Sequence, residues 1–123
     1  MMKKRIVKIR KKEFFQRYFC CDIRSFIPAS TRIVHAFGIS IGENVIIGEN
    51  VDIFQNVSIG RRWKGVEEKI VIGNNVRICS GACIIGNVTI GDNATIGANA
   101  VVLENVPNGE TWAGVPAKRV GIL

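Results

Sequence analysis

The feature that most constrains this chain is a six-residue period. From Ile41 the sequence reads IGENVI, IGENVD, IFQNVS and IG. It breaks, and resumes at Ile72 with IGNNVR, ICSGAC, IIGNVT, IGDNAT, IGANAV and VLENVP. The first position is Ile or Val in all ten units, the fourth is Asn in eight, and the fifth is Val or Ala in nine. A six-residue period fits neither a strand alternating every two residues nor a helix turning every 3.6. It fits a short strand followed by a tight corner. The first residue points into a stacked core, and the fifth must be small because it lies inside near the corner. Asn precedes it where the chain turns, and Asn tolerates left-handed backbone angles better than most residues. Three units close a triangular coil, and coils stacked as parallel strands make a solenoid. An array of antiparallel hairpins would need turn signals every eight to twelve residues, and these are absent.

The interruption separates Ile59 from Ile72 by thirteen residues, one more than two units need. Its charged stretch RRWKGVEEK (61–69) predicts a loop thrown out of the solenoid, and long loops on compact folds often carry function. Three segments follow: a basic, partly helical segment over 1–25, a solenoid over 26–107 with its loop at 61–69, and a tail over 108–123. In RKKEFFQRYFCC (10–21) Phe14, Phe15, Tyr18 and Phe19 stand at helical spacing. They predict a short helix that covers the open end of the solenoid, with membrane contact through residues 1–21 as the alternative. In the tail, Lys118 and Arg119 follow Pro116 and suit a phosphate.

The formal charge of +7 is confined to the amino terminus. Residues 1–17 hold eight of the seventeen Lys and Arg and one of the ten acids; the remaining nine cations and nine acids cancel. The body is therefore neutral, which argues against a nucleic-acid partner. No apolar stretch has the length of a signal peptide or a membrane span, so a cytoplasmic protein is expected. The cysteines are Cys20, Cys21, Cys79 and Cys83. They have no zinc spacing, and a single histidine cannot complete a Cys/His set, so reduced thiols and no metal are expected.

That single histidine is His35, in VHAFGISIG (34–42). Counting back six from Ile41 lands on it, which puts it in an aliphatic slot at the edge where regular coils begin.

With these motifs in view, the chain resembles the hexapeptide-repeat, left-handed β-helix acyltransferases. It looks most like serine acetyltransferases and their short relatives that O-acetylate sugars. HAFGISIGENVIIGENVDIFQNVSIG (35–60) resembles the family's catalytic-histidine coil. NVTIGDNATIGANAVVLENVP (87–107) and AGVPAKRV (113–120) resemble its closing coils and tail, and IPAS (27–30) its lead-in. The resemblance implies an all-β fold, a homotrimer, and an acetyl-coenzyme A site in each groove between subunits. It implies His35 as general base. Coenzyme A contacts carry over to Ser80, to Ala98 in IGANA, and to Lys118 after GVPA. The chemistry agrees, since moving acetyl from a thioester to a hydroxyl requires removal of the hydroxyl proton, and an imidazole suits that.

Departures from the family narrow the acceptor. Serine acetyltransferases place Asp directly before the histidine, where this chain has Val34. They carry a second histidine in the external loop, where this chain reads VEEKIVIG. Their long helical amino-terminal domain has no counterpart in these residues, and Glu104 stands where relatives often have a basic side chain. These differences favour an acceptor hydroxyl on a sugar, as in surface polysaccharide assembly, over free serine. The alternatives are serine O-acetylation in cysteine biosynthesis and a catalytically inactive β-helix scaffold. A γ-type carbonic anhydrase would need several histidines around a metal, and a nucleotidyltransferase would need a nucleotide domain.

Overall fold

A computed structural model describes residues 20–122. The helix expected over 10–21 therefore lies almost wholly outside the described residues, as does nearly all of the basic segment.

The described chain forms strands of two to five residues joined by corners. They are β1 (Asp22–Ile23), β2 (Arg32–Ile33), β3 (Ser40–Ile41), β4 (Val45–Ile47), β5 (Asp52–Ile53), β6 (Ser58–Gly60), β7 (Ile70–Ile72) and β8 (Arg77–Ile78). β9 (Cys83–Ile85), β10 (Thr89–Ile90), β11 (Thr95–Ile96), β12 (Val101–Val102), β13 (Glu110–Ala113) and β14 (Lys118–Ile122) follow. They sort into three sheets ordered β1-β3-β6-β9-β12, β10-β7-β4 and β14-β13-β11-β8-β5-β2. Every pairing is parallel except β13 with β14. This is the triangular solenoid that the period predicts.

The slots behave as the period requires. The first-position residues from Ile41 to Val102 are all buried, and so are Val45, Val51, Val57, Val76, Ala82, Val88, Ala94, Ala100 and Val106 at the fifth position. Asn50, Asn56, Asn75, Asn93 and Asn99 take left-handed angles. Asn44, Asn87 and Asn105 do not, and all three sit at the corner entering the smallest sheet. There the side-chain oxygens of Asn87 and Asn105 accept backbone N–H bonds from Lys69 (3.3 Å) and Thr89 (2.9 Å) in the adjacent coil.

Register shows where the coils depart from eighteen residues. Ser40 faces Ser58, eighteen later, but Ser58 faces Cys83, twenty-five later. The seven additional residues are the external loop, and its Trp63 is 73% exposed. At the first coil Arg32 faces Asp52 and Ile33 faces Ile53, twenty apart. Ile33, and not His35, therefore fills the aliphatic slot, and the position expected for His35 from counting in sixes is corrected. The two additional residues belong to the corner between β2 and β3. Val34 N–H donates to Ile53 O (2.9 Å) just as Phe54 N–H donates to Ile78 O (3.1 Å). Phe37 O accepts from Asn56 N–H (2.8 Å) just as Gln55 O accepts from Gly81 N–H (2.9 Å). Phe54 leads straight to Gln55, whereas Val34 reaches Phe37 only through His35 and Ala36. The corner then turns at Gly38, with φ +62; a Cβ there would fall 2.3 Å from Asn56 Oδ1.

The segment beyond 107, expected as a tail, closes the solenoid. Ile96 faces Trp112, so the indole continues the isoleucine column and its Nε1–H donates to Glu110 Oε1 (2.9 Å). The turn between β13 and β14 seats on β12 through Val101 N–H to Gly114 O (3.0 Å) and Ala117 N–H to Val101 O (2.8 Å).

On the outer surface of the third sheet, Asp52 lies between two arginines of neighbouring coils. Arg32 holds it with two bonds of 2.6 and 2.7 Å, and Arg77 Nε lies 3.7 Å away. The bonds from Arg32 hold the Asp52 carboxyl below the usual carboxylate range, against the opposing effect of burial.

Two outcomes follow from this packing. Ile78 is fully buried in the middle of its column. Ile78→Ala should cost about 2–5 kcal/mol, measured as a lower urea midpoint. Because the folded Asp52 carboxyl titrates below its unfolded value of about 3.9, its contribution is complete above that value. It is lost as pH falls through the lower folded value. The stability difference between wild type and Asp52→Asn should therefore be constant near neutrality and shrink steadily below about pH 4, as read from urea midpoints across pH.

Candidate active site

The two-residue enlargement of the first corner moves His35 out of the core column and into solvent. A regular corner must turn its residues inward or along the edge to keep the coil closed. The longer one leaves His35 and Ala36 without a cross-coil backbone bond, and His35 is exposed. Its imidazole meets the Phe54 ring edge-on, with centroids 6.4 Å apart. Two exposed apolar side chains flank it, Val34 and Phe37.

The same corner recurs in each coil above, and the backbone bonds fix which residues stack. Asn56 N–H donates to Phe37 O, Gly81 N–H to Gln55 O, and Asn99 N–H to Ser80 O (2.9 Å). One edge therefore carries Phe37, Gln55, Ser80 and Ala98 in succession, with His35 beside the first. Coils stack at about 4.8 Å, so His35 and Ala98 are separated by three steps, or about 14 Å along the edge. Ser80 is half-buried and Ala98 is exposed. The fold thus gathers three of the four sequence-predicted residues on a single line. Cys79 adjoins Ser80 there, half-buried, and burial pushes its thiol pKa up.

Lys118, the fourth, stands at the far end of that line, just past the turn that seats on β12. Its ammonium pairs with Glu104 (3.0 Å), and Arg119 approaches Glu110 (3.8 Å). The Lys118–Glu104 pair is exposed, so it is weak and exchangeable for a phosphate.

Gln55 is the residue on this edge that the sequence reading missed. It is the only glutamine of the repeats, at a position filled in the other uninterrupted units by Glu, Asn, Asp, Ser, Gly or Ala. Its side-chain oxygen is buried with no hydrogen-bond partner.

The external loop builds a second concavity, of about 790 Å³. Its walls include Glu43, Asn44, Arg61, Glu67, Glu68 and Lys69, and His35 is not among them. Arg61 is held by Glu43 (2.7 Å), and Arg62 by Glu68 (3.4 Å). Asn44 Nδ2 donates to Glu68 O (2.5 Å), tying the loop to the corner beneath. Among the described residues no group of three or more His, Cys, Asp or Glu side chains could hold a metal ion.

Residues 69–104 match the family described as "Bacterial transferase hexapeptide (six repeats)". No curated protein matches. Among solved structures, the chain is similar to the soybean serine acetyltransferase apoenzyme, with 39% identity, a TM-score of 0.68, and coverage of 79% of this chain and 43% of that one. It is similar to Neisseria gonorrhoeae serine acetyltransferase in complex with serine, with 37% identity, a TM-score of 0.68 and coverage of 76% and 41%. It is also similar to a serine acetyltransferase in complex with CoA, with 39% identity, a TM-score of 0.68 and coverage of 81% and 39%. The chain spans less than half the length of each of these enzymes. With its repeat, its coil register and these neighbours, the chain belongs to the hexapeptide-repeat transferases, as a left-handed β-helix of the serine acetyltransferase type.

Proposed function

We propose that the protein transfers acetyl from acetyl-coenzyme A to an acceptor hydroxyl, with His35 as general base. The observation that carries this reading is the alignment of the one histidine with Ser80 and Ala98 on a single corner edge. In the reaction, the acceptor oxygen attacks the thioester carbonyl while the imidazole takes the hydroxyl proton. The tetrahedral oxyanion collapses, the C–S bond breaks, and the imidazolium returns its proton to the departing thiolate. Backbone N–H groups at the corners suit the oxyanion, because a stacked coil holds them rigid before the reaction begins. Coenzyme A would lie along the edge over Ser80 and Ala98, with Lys118 released from Glu104 to a phosphate. Val34 and Phe37 expose apolar surface beside the base. A neighbouring subunit covering them would make the groove of a homotrimer and exclude water from the thioester.

For the acceptor we favour a sugar hydroxyl. Val34 stands before His35 where serine acetyltransferases place Asp, and the 61–69 loop has no histidine, so the side chains the family offers to serine are not repeated here. Serine is the second reading, favoured by the similarity to the serine-bound Neisseria enzyme. A cytoplasmic site fits the thioester donor, and the basic residues of the 1–21 segment suit the anionic inner membrane face.

Thiol release from acetyl-coenzyme A, followed across sugars, nucleotide sugars and serine, checks the reading. His35→Ala should lower kcat by about 10²–10⁴-fold while coenzyme A still binds. Full activity in that variant would remove His35 from the chemistry. Turnover with serine alone would replace the sugar reading, and no turnover with any acceptor would favour a scaffold.

A further inference from the structure

Two groups at the first corner lack what the other offers. The ring nitrogens of His35 have no hydrogen-bond partner among the described residues, since the contact the ring makes is with Phe54. The residue after Phe54 is Gln55, whose Oε1 is buried and accepts no hydrogen bond. An unmet buried acceptor is costly, and native structures keep few of them. The backbone lays the two segments over each other. Phe37 O receives Asn56 N–H, so the 34–37 segment runs over Phe54–Asn56, and His35 is one of the two residues that no cross-coil backbone bond restrains. The charged groups on the surrounding elements are engaged with one another. Arg32 and Arg77 hold Asp52, and Arg24 holds Asp22 at 3.2 Å. Val34 has no polar side-chain atom to contribute.

We infer that Gln55 is the positioning residue for His35: when the unrestrained ring turns toward it, its Oε1 accepts the Nδ1–H of the imidazole, leaving Nε2 unprotonated for the acceptor hydroxyl. A base must present a free lone pair to take a proton, and a neutral imidazole has only one such nitrogen. A side-chain acceptor behind the ring selects the tautomer, as a carboxylate or carbonyl does for other working histidines. A glutamine does this without adding charge. This inference rests on the proposed role of His35, but its decisive measurement needs no acceptor.

Because His35 is the only histidine, its ring signals in the full chain can be read without assignment ambiguity. They should be recorded by NMR across pH, with and without coenzyme A, for wild type, Gln55→Glu, Gln55→Leu and Asp22→Asn. In wild type the neutral ring should carry its proton mainly on Nδ1. Gln55→Glu keeps the shape and the acceptor but adds a charge, so it should raise the titration midpoint of His35 by about one unit. The acid limb of kcat/KM should move up with it. Gln55→Leu should return the ring to the tautomer mixture of free imidazole and lower kcat about 10–100-fold, with KM for acetyl-coenzyme A within about twofold. If Gln55→Leu fails to fold, as its urea midpoint would show, the Gln55→Glu titration decides alone. An unchanged midpoint and tautomer in the Gln55 variants would overturn the proposal, as would a change confined to Asp22→Asn. Should the NMR shifts occur as expected while no variant, nor wild type, transfers acetyl, Gln55 keeps its positioning role and the enzyme reading falls.

Discussion

Strands of two or three residues cannot hold themselves; each exists here because an identical edge lies above or below it. Two or three backbone bonds per side are too few to order an isolated coil against its conformational entropy. Stacking solves this twice over. It satisfies N–H and C=O groups from one coil to the next, and it lines up isoleucines into columns that exclude water. The rest of the molecule follows from keeping that stack in register. Small residues occupy the inner corners because a larger side chain would push the strands apart. Asparagine turns the chain at two of the three corners, and at the third its side chain bonds the adjacent coil instead.

What was legible in the sequence is what the stack itself demands. Isoleucine, asparagine and small-residue positions repeat because each coil meets the same neighbours, so the solenoid and the extruded loop could be read directly. His35 was misplaced because counting in sixes assumes corners of equal length. The local alignment of Arg32-Ile33 with Asp52-Ile53 is two residues out of step with that count, and only strand pairing reveals it. Trp112 escaped notice for a different reason. It fills an aliphatic slot where the stack ends, and a bulky ring is tolerated there because no full coil has to close around it. Gln55 was invisible because nothing in its own repeat marks it; its interest comes from the corner laid over it.

The candidate site shows how a repetitive scaffold becomes chemically specific. Every corner of the edge is built alike, so a ligand lying along it meets evenly spaced backbone groups. Specificity enters through local exceptions: two added residues that free a histidine, a glutamine beneath it, a serine and an alanine where others are larger. The exceptions leave the inner columns untouched, which lets the surface change while the core remains the same. The loop follows the same rule, since seven residues leave and return to the coil without shifting the strands on either side.

The reversal of direction at β14 has a consequence for the molecule as a whole. A parallel solenoid has an open strand edge at each end, and identical open edges invite end-to-end growth into fibres. Here the last strand of the third sheet runs antiparallel to its neighbour and begins with Lys118 and Arg119, both exposed. A second molecule arriving with a parallel coil finds the wrong polarity and two cations in its path. That hairpin therefore makes the β14 edge a poorer template for another parallel coil than the coil edges beneath it.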